Sequence, residues 1–120
     1  MFKTTINTNL NLLAMSFSQH VTALELQKHR SQSEALVQQL QPGFCILTDL
    51  SSLDSMDFAC ATAIEHIMDL CRAKGVGKVV RIIPDPKKDI GFKKMSYFHY
   101  GHHVPIATCE TVAEAMERLP

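Results

Sequence analysis

Apolar residues recur along this chain at two spacings, one typical of strands and the other typical of helices. Residues 44–47, Phe-Cys-Ile-Leu, form a continuous apolar run, which predicts a strand covered on both faces and ended by Asp49. Further along, apolar residues fall three and four positions apart, as on one face of an amphipathic helix: Ala61, Ile64, Met68 and Cys71. Gly75 is the predicted C-terminal stop of that helix.

The residues before this unit predict two strands and a helix. Leu13, Met15 and Phe17 alternate with smaller residues, a pattern that favours a strand with one covered face. A second strand at residues 3–7 is expected to pair with it through an asparagine-rich turn at residues 7–11. Residues 23–40 predict one helix, whose more polar sequence places it at the periphery of the domain.

The residues after Gly75 continue the alternation of strands and helices. A β-branched run at residues 78–83 predicts a strand, which Pro84 ends. The remaining predicted elements are a short helix over 87–95, a polar and aromatic connection over 96–103, a last strand over 104–107 and a terminal helix over 111–119. Thr111 and Glu114 form a capping box for the terminal helix, whose apolar side consists of Val112, Ala115, Met116 and Leu119.

Composition narrows the classes of function. The 120 residues are 46% apolar and 20% charged, with a net charge of zero, so we expect one globular domain over residues 1–120 and no nucleic-acid partner. No apolar run approaches the roughly 20 residues of a membrane span, and the N-terminus lacks the apolar core of a signal peptide. Four cysteines without a CxxC pair predict buried free thiols. We therefore expect a cytoplasmic protein without a cofactor.

Asp49-Leu50-Ser51, Leu53 and Met56-Asp57 in the middle of the chain resemble the core motif of the STAS domain. This domain is the module of bacterial anti-sigma factor antagonists and of sulfate transporter tails. In that family a hydrophobic strand ends in Asp, a short loop follows, and the sequence Asp-Ser-Ser-Gly opens the next helix. The resemblance extends over about the whole chain. It implies a single STAS-like α/β domain with a mixed sheet of four or five strands and three or four helices. It also implies a protein-interaction or regulatory module and not an enzyme.

The chain departs from the family at the tetrapeptide that opens the helix. Asp57 matches, but Phe58, Ala59 and Cys60 stand where the family has Ser, Ser and Gly. In antagonists controlled by a sigma-regulating kinase, the first of those serines is phosphorylated, and Phe58 cannot accept a phosphate. The resemblance therefore implies a module that binds a protein partner without this switch. Its expected partner-binding residues surround the start of the helix: Asp49, Ser51, Ser52, Asp57 and Phe58.

Local chemistry leaves the roles of these residues partly open. Ser51, Ser52 and Ser55 lie in the predicted loop, where small polar residues ordinarily turn the chain. Asp57 is the predicted N-cap of the helix, with its carboxylate accepting from backbone N–H groups. Phe58 lies three residues before the apolar stripe, so it is either the first core residue of the helix or an exposed contact for another chain.

Two other functions remain open from the sequence. A small-ligand or anion sensor would have a closed pocket at the start of the helix. A hydrolase would need converging carboxylates from Asp49, Asp54 and Asp57, acting as a general base or as magnesium ligands. Cys60 is the one cysteine placed at a helix N-terminus, a setting that favours a reactive thiol.

Two segments concentrate polar residues without a diagnostic spacing. Three histidines, His99, His102 and His103, lack the i, i+4 pattern of a helical zinc site, and no Cys, Asp or Glu stands beside them in the loop, so we expect no metal. Eight of the twelve basic residues lie between positions 72 and 94: Arg72, Lys74, Lys78, Arg81, Lys87, Lys88, Lys93 and Lys94. This concentration predicts either a one-sided basic surface or an ordinary solvated one.

Overall fold

The computed structural model describes residues 1–85, 99–100 and 103–119. This part of the chain contains β1 (Phe2–Asn7), β2 (Leu12–Val21), α1 (Ala23–Lys28), α2 (Arg30–Gln38), β3 (Cys45–Met56), α3 (Cys60–Lys74), β4 (Lys78–Ile82), β5 (Ile106–Cys109) and α4 (Val112–Arg118). The strands form one sheet in the order β1-β2-β3-β4-β5, in which β1 is antiparallel to β2 and every other pair is parallel. The predicted α/β class with a mixed sheet is confirmed.

The helices cover the two faces of the sheet unequally. Helices α1, α2 and α3 pack over one face, here called the inner face, and enclose the larger of two apolar clusters. Leu13, Met15 and Phe17 point into it, as their alternation predicts, and Phe2 of β1 pairs with Phe17 with their ring centroids 5.0 Å apart. Among the described residues, the outer face carries the smaller cluster, under α4.

Strand β3 is longer than predicted, because it continues past Asp49 through the residues expected to form a loop. Its pairing with β2 shifts register twice, each time with an extra residue in β3, which is the pattern of a β-bulge. Leu50 and Leu53 are therefore both fully buried, although residues three apart point to opposite faces of a regular strand. The loop prediction was wrong because this odd spacing hides the strand.

The helix predicted over residues 23–40 is two helices that meet at His29. His29 ends α1 and begins α2 with φ −90° and ψ 0°, and its ring Nδ1 lies 2.9 Å from the carbonyl oxygen of Glu25. Leu26 of α1 and Val37 of α2 are both buried on the inner face. The single-helix prediction was wrong because the bend occurs without the Pro or Gly that would mark it in a sequence.

Helix α3 is the central helix that the apolar stripe predicts, and Gly75 ends it as expected. Gly75 has a left-handed backbone, with φ 98° and ψ 45°. The N–H groups of Gly75 and Val76 each lie 3.1 Å from the carbonyl oxygen of Cys71, which satisfies the end of the helix. A Cβ at residue 75 would lie 3.2 Å from Cβ of Pro42, so packing and conformation both favour glycine.

Helix α4 begins as predicted but packs through a smaller surface. Oγ1 of Thr111 accepts the N–H of Glu114 at 3.2 Å. Ala115 is fully buried, whereas Val112 and Met116 are 47% and 56% exposed, so their assignment to an apolar side was wrong. Ala115 and Leu119 make the contacts with the smaller cluster, so the packed side of α4 is narrower than the predicted apolar side.

The last strand begins at Ile106, two residues later than predicted. The short helix predicted over residues 87–95 lies outside the described residues, as does most of the connection over 96–103. Within residues 1–85, 99–100 and 103–119, no helix has both the length and the apolar character needed to cross a membrane.

Candidate functional site

Phe58 lies in the short turn that joins β3 to α3. The carbonyl oxygen of Asp57 accepts the N–H of Cys60 at 2.9 Å, and that of Phe58 accepts the N–H of Ala61 at 3.3 Å. Cys60 takes the first core position and is fully buried, whereas Phe58 is 98% exposed. The interpretation of Phe58 as the first core residue is therefore wrong, and its exposure is confirmed.

The carboxylate of Asp57 joins three elements beside Phe58. Its Oδ1 lies 2.8 Å from Nε2 of His20 near the end of β2, and its Oδ2 accepts the N–H of Ala23 at 3.3 Å where α1 begins. The other ring nitrogen of His20 lies 2.6 Å from Oγ of Ser55. We call His20, Ser55, Asp57 and Phe58 the α3 entrance. The side chains of His20 and Asp57 are 50% and 43% exposed, so their pairing contributes at most about 1 kcal/mol and serves mainly to fix the turn.

The prediction that Asp57 caps α3 is wrong. The N-cap is Ala59, without a side-chain hydrogen bond. The N–H of Asp57 donates to the carbonyl oxygen of Val21 at 2.9 Å, which extends the pairing of β2 with β3 and places the carboxylate beside α1. His20 was missed as the partner of Asp57 and Ser55 because it lies more than thirty residues before them in the sequence, with α1, α2 and most of β3 in between.

Ser55, His20 and Asp57 have the hydroxyl, imidazole and carboxylate connectivity of a hydrolase triad. A triad also requires a substrate cleft and N–H donors that face the reacting oxygen. The N–H groups of Cys60 and Ala61 already bond to carbonyl oxygens of the turn, and Ser55 is exposed. The arrangement therefore fits a structural network that supports Phe58.

Asp49, Ser51 and Ser52 lie apart from the α3 entrance. Oδ1 of Asp49 accepts the N–H of Ser51 at 2.9 Å and its hydroxyl at 2.5 Å, a local bond that shapes the first bulge. Asp49 and Asp57 are eight residues apart along an extended strand, which at about 3.3 Å per residue is a separation of roughly 25 Å. The structure thus brings together Asp57 and Phe58 of the five predicted residues and leaves the other three in the strand.

The same extension separates the carboxylates of the hydrolase hypothesis. Asp54 is exposed and lies in β3 between the other two, so Asp49, Asp54 and Asp57 do not converge on a common point. Across the residues that the structure describes, no group of three His, Cys, Asp or Glu side chains could hold a metal ion.

The four cysteines are buried free thiols, as predicted. Burial is the main cause that raises the pKa of Cys60, and the charge of Asp57 raises it further. Burial alone raises the pKa of Cys71 to about 12. Because the thiolate is the reactive form, Cys60 lacks the environment of a catalytic cysteine.

His99 contacts two carboxylates that its own loop does not contain. Its Nδ1 lies 2.6 Å from Oδ1 of Asp69, and its Nε2 lies 3.7 Å from Oε2 of Glu65, both on α3. The two carboxylates lie at opposite nitrogens of the ring. A metal ion would bind only one of these nitrogens, so the carboxylates and His99 do not converge on one metal position. The contacts instead hold His99 against α3. His102 lies outside the described residues, and His103 is exposed.

The described basic residues of the segment from Arg72 to Lys94 do not share one surface. Nζ of Lys74 donates to the carbonyl oxygen of Gln38 at 3.2 Å on the α2 side, and Nζ of Lys78 donates to that of Arg118 on the α4 side. Arg81 is buried in the inner face. A single basic surface is therefore wrong for these positions, and residues 87–94 lie outside the described chain.

Comparison with known protein structures identifies the fold. No protein-family model matches the chain, and no curated protein matches it in sequence. The unphosphorylated form of the anti-sigma factor antagonist SpoIIAA superposes with a TM-score of 0.67 at 16% identity, over 98% of this chain and 96% of that one. The chain has the SpoIIAA fold. This confirms the STAS-like fold that the resemblance implies.

Two further structures share this fold. An uncharacterised DUF3478-family protein from Shewanella loihica, described as having a SpoIIAA-like fold, gives a TM-score of 0.72 at 16% identity over 100% of this chain and 93% of that one. An anti-sigma factor antagonist from Mycobacterium paratuberculosis gives 0.61 at 12% identity, over 99% and 94%. These identities support a common fold, and the function of this chain has to be argued from its own residues.

Proposed function

We propose that this chain is a cytoplasmic regulatory module that binds a protein partner through the α3 entrance, with Phe58 as its main contact. The observation that carries the proposal is the 98% exposure of Phe58 on a turn held by backbone hydrogen bonds and by the Asp57 network. Large apolar side chains on rigid supports lose little conformational entropy on binding, which is why aromatic residues are common at interaction surfaces.

The magnitude of this contact is sufficient to decide binding. Full burial of a Phe side chain contributes roughly 1.5–3 kcal/mol, which corresponds to about a tenfold to hundredfold change in Kd. The polar groups around Phe58 contribute less, because exposed ion pairs are worth at most about 1 kcal/mol. Recognition by shape and apolar contact is therefore the expected mode.

The proposal includes independence from phosphorylation at the start of α3. One of the matching structures is SpoIIAA in its phosphorylated form, whereas Phe58 of this chain has no hydroxyl. The hydroxyl of Ser51 is bonded to Asp49, and that of Ser55 contacts His20. Modification of either serine would break a hydrogen bond of the folded protein.

The test is affinity capture from cells of the source organism, with quantitative mass spectrometry. The wild-type chain, Phe58→Ser and Met116→Ser are compared, because Met116 is also an exposed apolar residue but lies on α4. We expect at least one protein to be retained by the wild type and Met116→Ser and lost with Phe58→Ser. Identical sets of captured proteins for the two variants would contradict the proposal.

A further inference from the structure

A recess, here called the α1–α3 cleft, lies between α1, the start of α2 and α3. Its volume is about 200 Å³, and its lining includes Leu26, Arg30, Ala59, Ala63, His66 and Ile67. Ala59 and Ala63 are one helical turn apart on the side of α3 that faces α1. Their methyl groups are too short to fill the space between the helices, so an apolar floor remains open to solvent.

Polar groups at one end of this cleft are fixed around a carboxylate. Oε1 of Glu34 accepts from Nε of Arg30 at 3.2 Å and lies 3.1 Å from Nε2 of His66. The hydrogen bond from His66 and then that from Arg30 hold the pKa of Glu34 below its ordinary value. Glu34 thus orients both side chains. No acidic side chain of the described residues lines the cleft itself.

Arg30 retains donors for a second carboxylate. A guanidinium has five N–H groups in a planar fork, and its bond to Glu34 uses Nε, which leaves the two terminal amino groups. Among the residues that the structure describes, no other protein group is bonded to them. Two parallel N–H donors of this kind match the two oxygens of a carboxylate.

We propose that the α1–α3 cleft binds a small carboxylic acid with a short apolar tail. The tail lies on the floor formed by Leu26, Ala59, Ala63 and Ile67, and the carboxylate accepts from the terminal amino groups of Arg30. The size follows from the volume, since about 200 Å³ is below the roughly 300–1,000 Å³ of pockets for drug-sized ligands. This site does not depend on the partner proposed for Phe58.

The test is an NMR titration of the 15N-labelled chain with sodium hexanoate. Hexanol provides the tail without the charge, and acetate provides the charge without the tail. We expect saturable shifts of the amides of Ala59, Ala63 and Ile67 with hexanoate, and affinities at least about tenfold weaker for hexanol and acetate. Equal affinity for hexanol and hexanoate, or shifts that map elsewhere, would overturn the proposal.

Variants test the contribution of the Arg30 charge and that of the apolar floor separately. Arg30→Gln is expected to weaken hexanoate binding at least about fivefold to tenfold, whereas Arg72→Gln, which removes an exposed charge elsewhere, leaves it unchanged. Ala63→Leu fills the floor and abolishes binding of the tail. The amide spectrum of each variant confirms its fold. Equal loss of affinity in Arg30→Gln and Arg72→Gln, or full affinity in a folded Ala63→Leu, would show that the cleft is not the site.

Discussion

Truncation of Phe58 is expected to leave the stability of the domain almost unchanged. The ring is 98% exposed, and exposed substitutions without specific contacts usually change the free energy of unfolding by no more than about 0.5 kcal/mol. Phe44 is the matched control, because it is fully buried and lies immediately before β3. Phe44→Ala removes the same atoms and is expected to cost roughly 3–5 kcal/mol. That cost is a large fraction of the 5–15 kcal/mol by which domains are ordinarily stable.

Urea unfolding followed by circular dichroism measures both effects. Phe58→Ala is expected to unfold at the midpoint of the wild type, whereas Phe44→Ala unfolds at a much lower urea concentration with a similar slope. In a thermal scan, a loss of 1 kcal/mol lowers Tm by roughly 3–5 °C for a domain of this size, so the Tm values of the two variants are expected to differ by at least about 7 °C. A loss above about 2 kcal/mol in Phe58→Ala would show that the ring packs in the fold and would remove the basis for its role as a free contact.

Three further predictions concern charge, metal and phosphate. The pKa of Glu34 is lowered from 4.5, so its charged form stabilises the fold above pH 4.5, and this contribution is lost as the pH falls through the lowered pKa. In urea unfolding, the difference in stability between wild type and Glu34→Gln should therefore become smaller as the pH falls below 4.5. Zinc or nickel should not raise Tm, although a true site would add about 2.7 kcal/mol at a hundredfold excess over its Kd; saturable binding lost in His102→Ala would refute this. Incubation with a sigma-regulating kinase should leave residues 49–60 unphosphorylated by mass spectrometry, and stoichiometric phosphate on Ser55 would be the contrary result.

The sequence predicts those parts of the fold whose cause is local. Strand β2 and helix α3 follow from the periodicity of their apolar residues, and Gly75 ends α3 because a left-handed residue is required there. Strand β3 was cut short because its bulges change which residues face the core, and a bulge depends on the neighbouring strand. The bend at His29 likewise depends on packing against the sheet.

The candidate site was predicted only in part for the same reason. Phe58 was identified because it stands where the family that the chain resembles has a serine. The bonds of Asp57 to His20 and Ala23 join residues distant in the chain, and no local pattern reports them. The α1–α3 cleft arises from Arg30 and His66 on different helices, and each looks like an ordinary surface residue in the sequence.

Site-specific photocrosslinking would detect a protein bound at Phe58 in the cell. A photoreactive phenylalanine analogue replaces Phe58 in one variant and Met116 in a control, and each is irradiated in cells of the source organism. Both positions are exposed, at 98% and 56%, so the reagent can reach a partner from either one. We expect a discrete crosslinked protein from position 58 that is missing from position 116. The same products from both positions, or none from position 58, would contradict the assignment of the α3 entrance as the partner-binding surface.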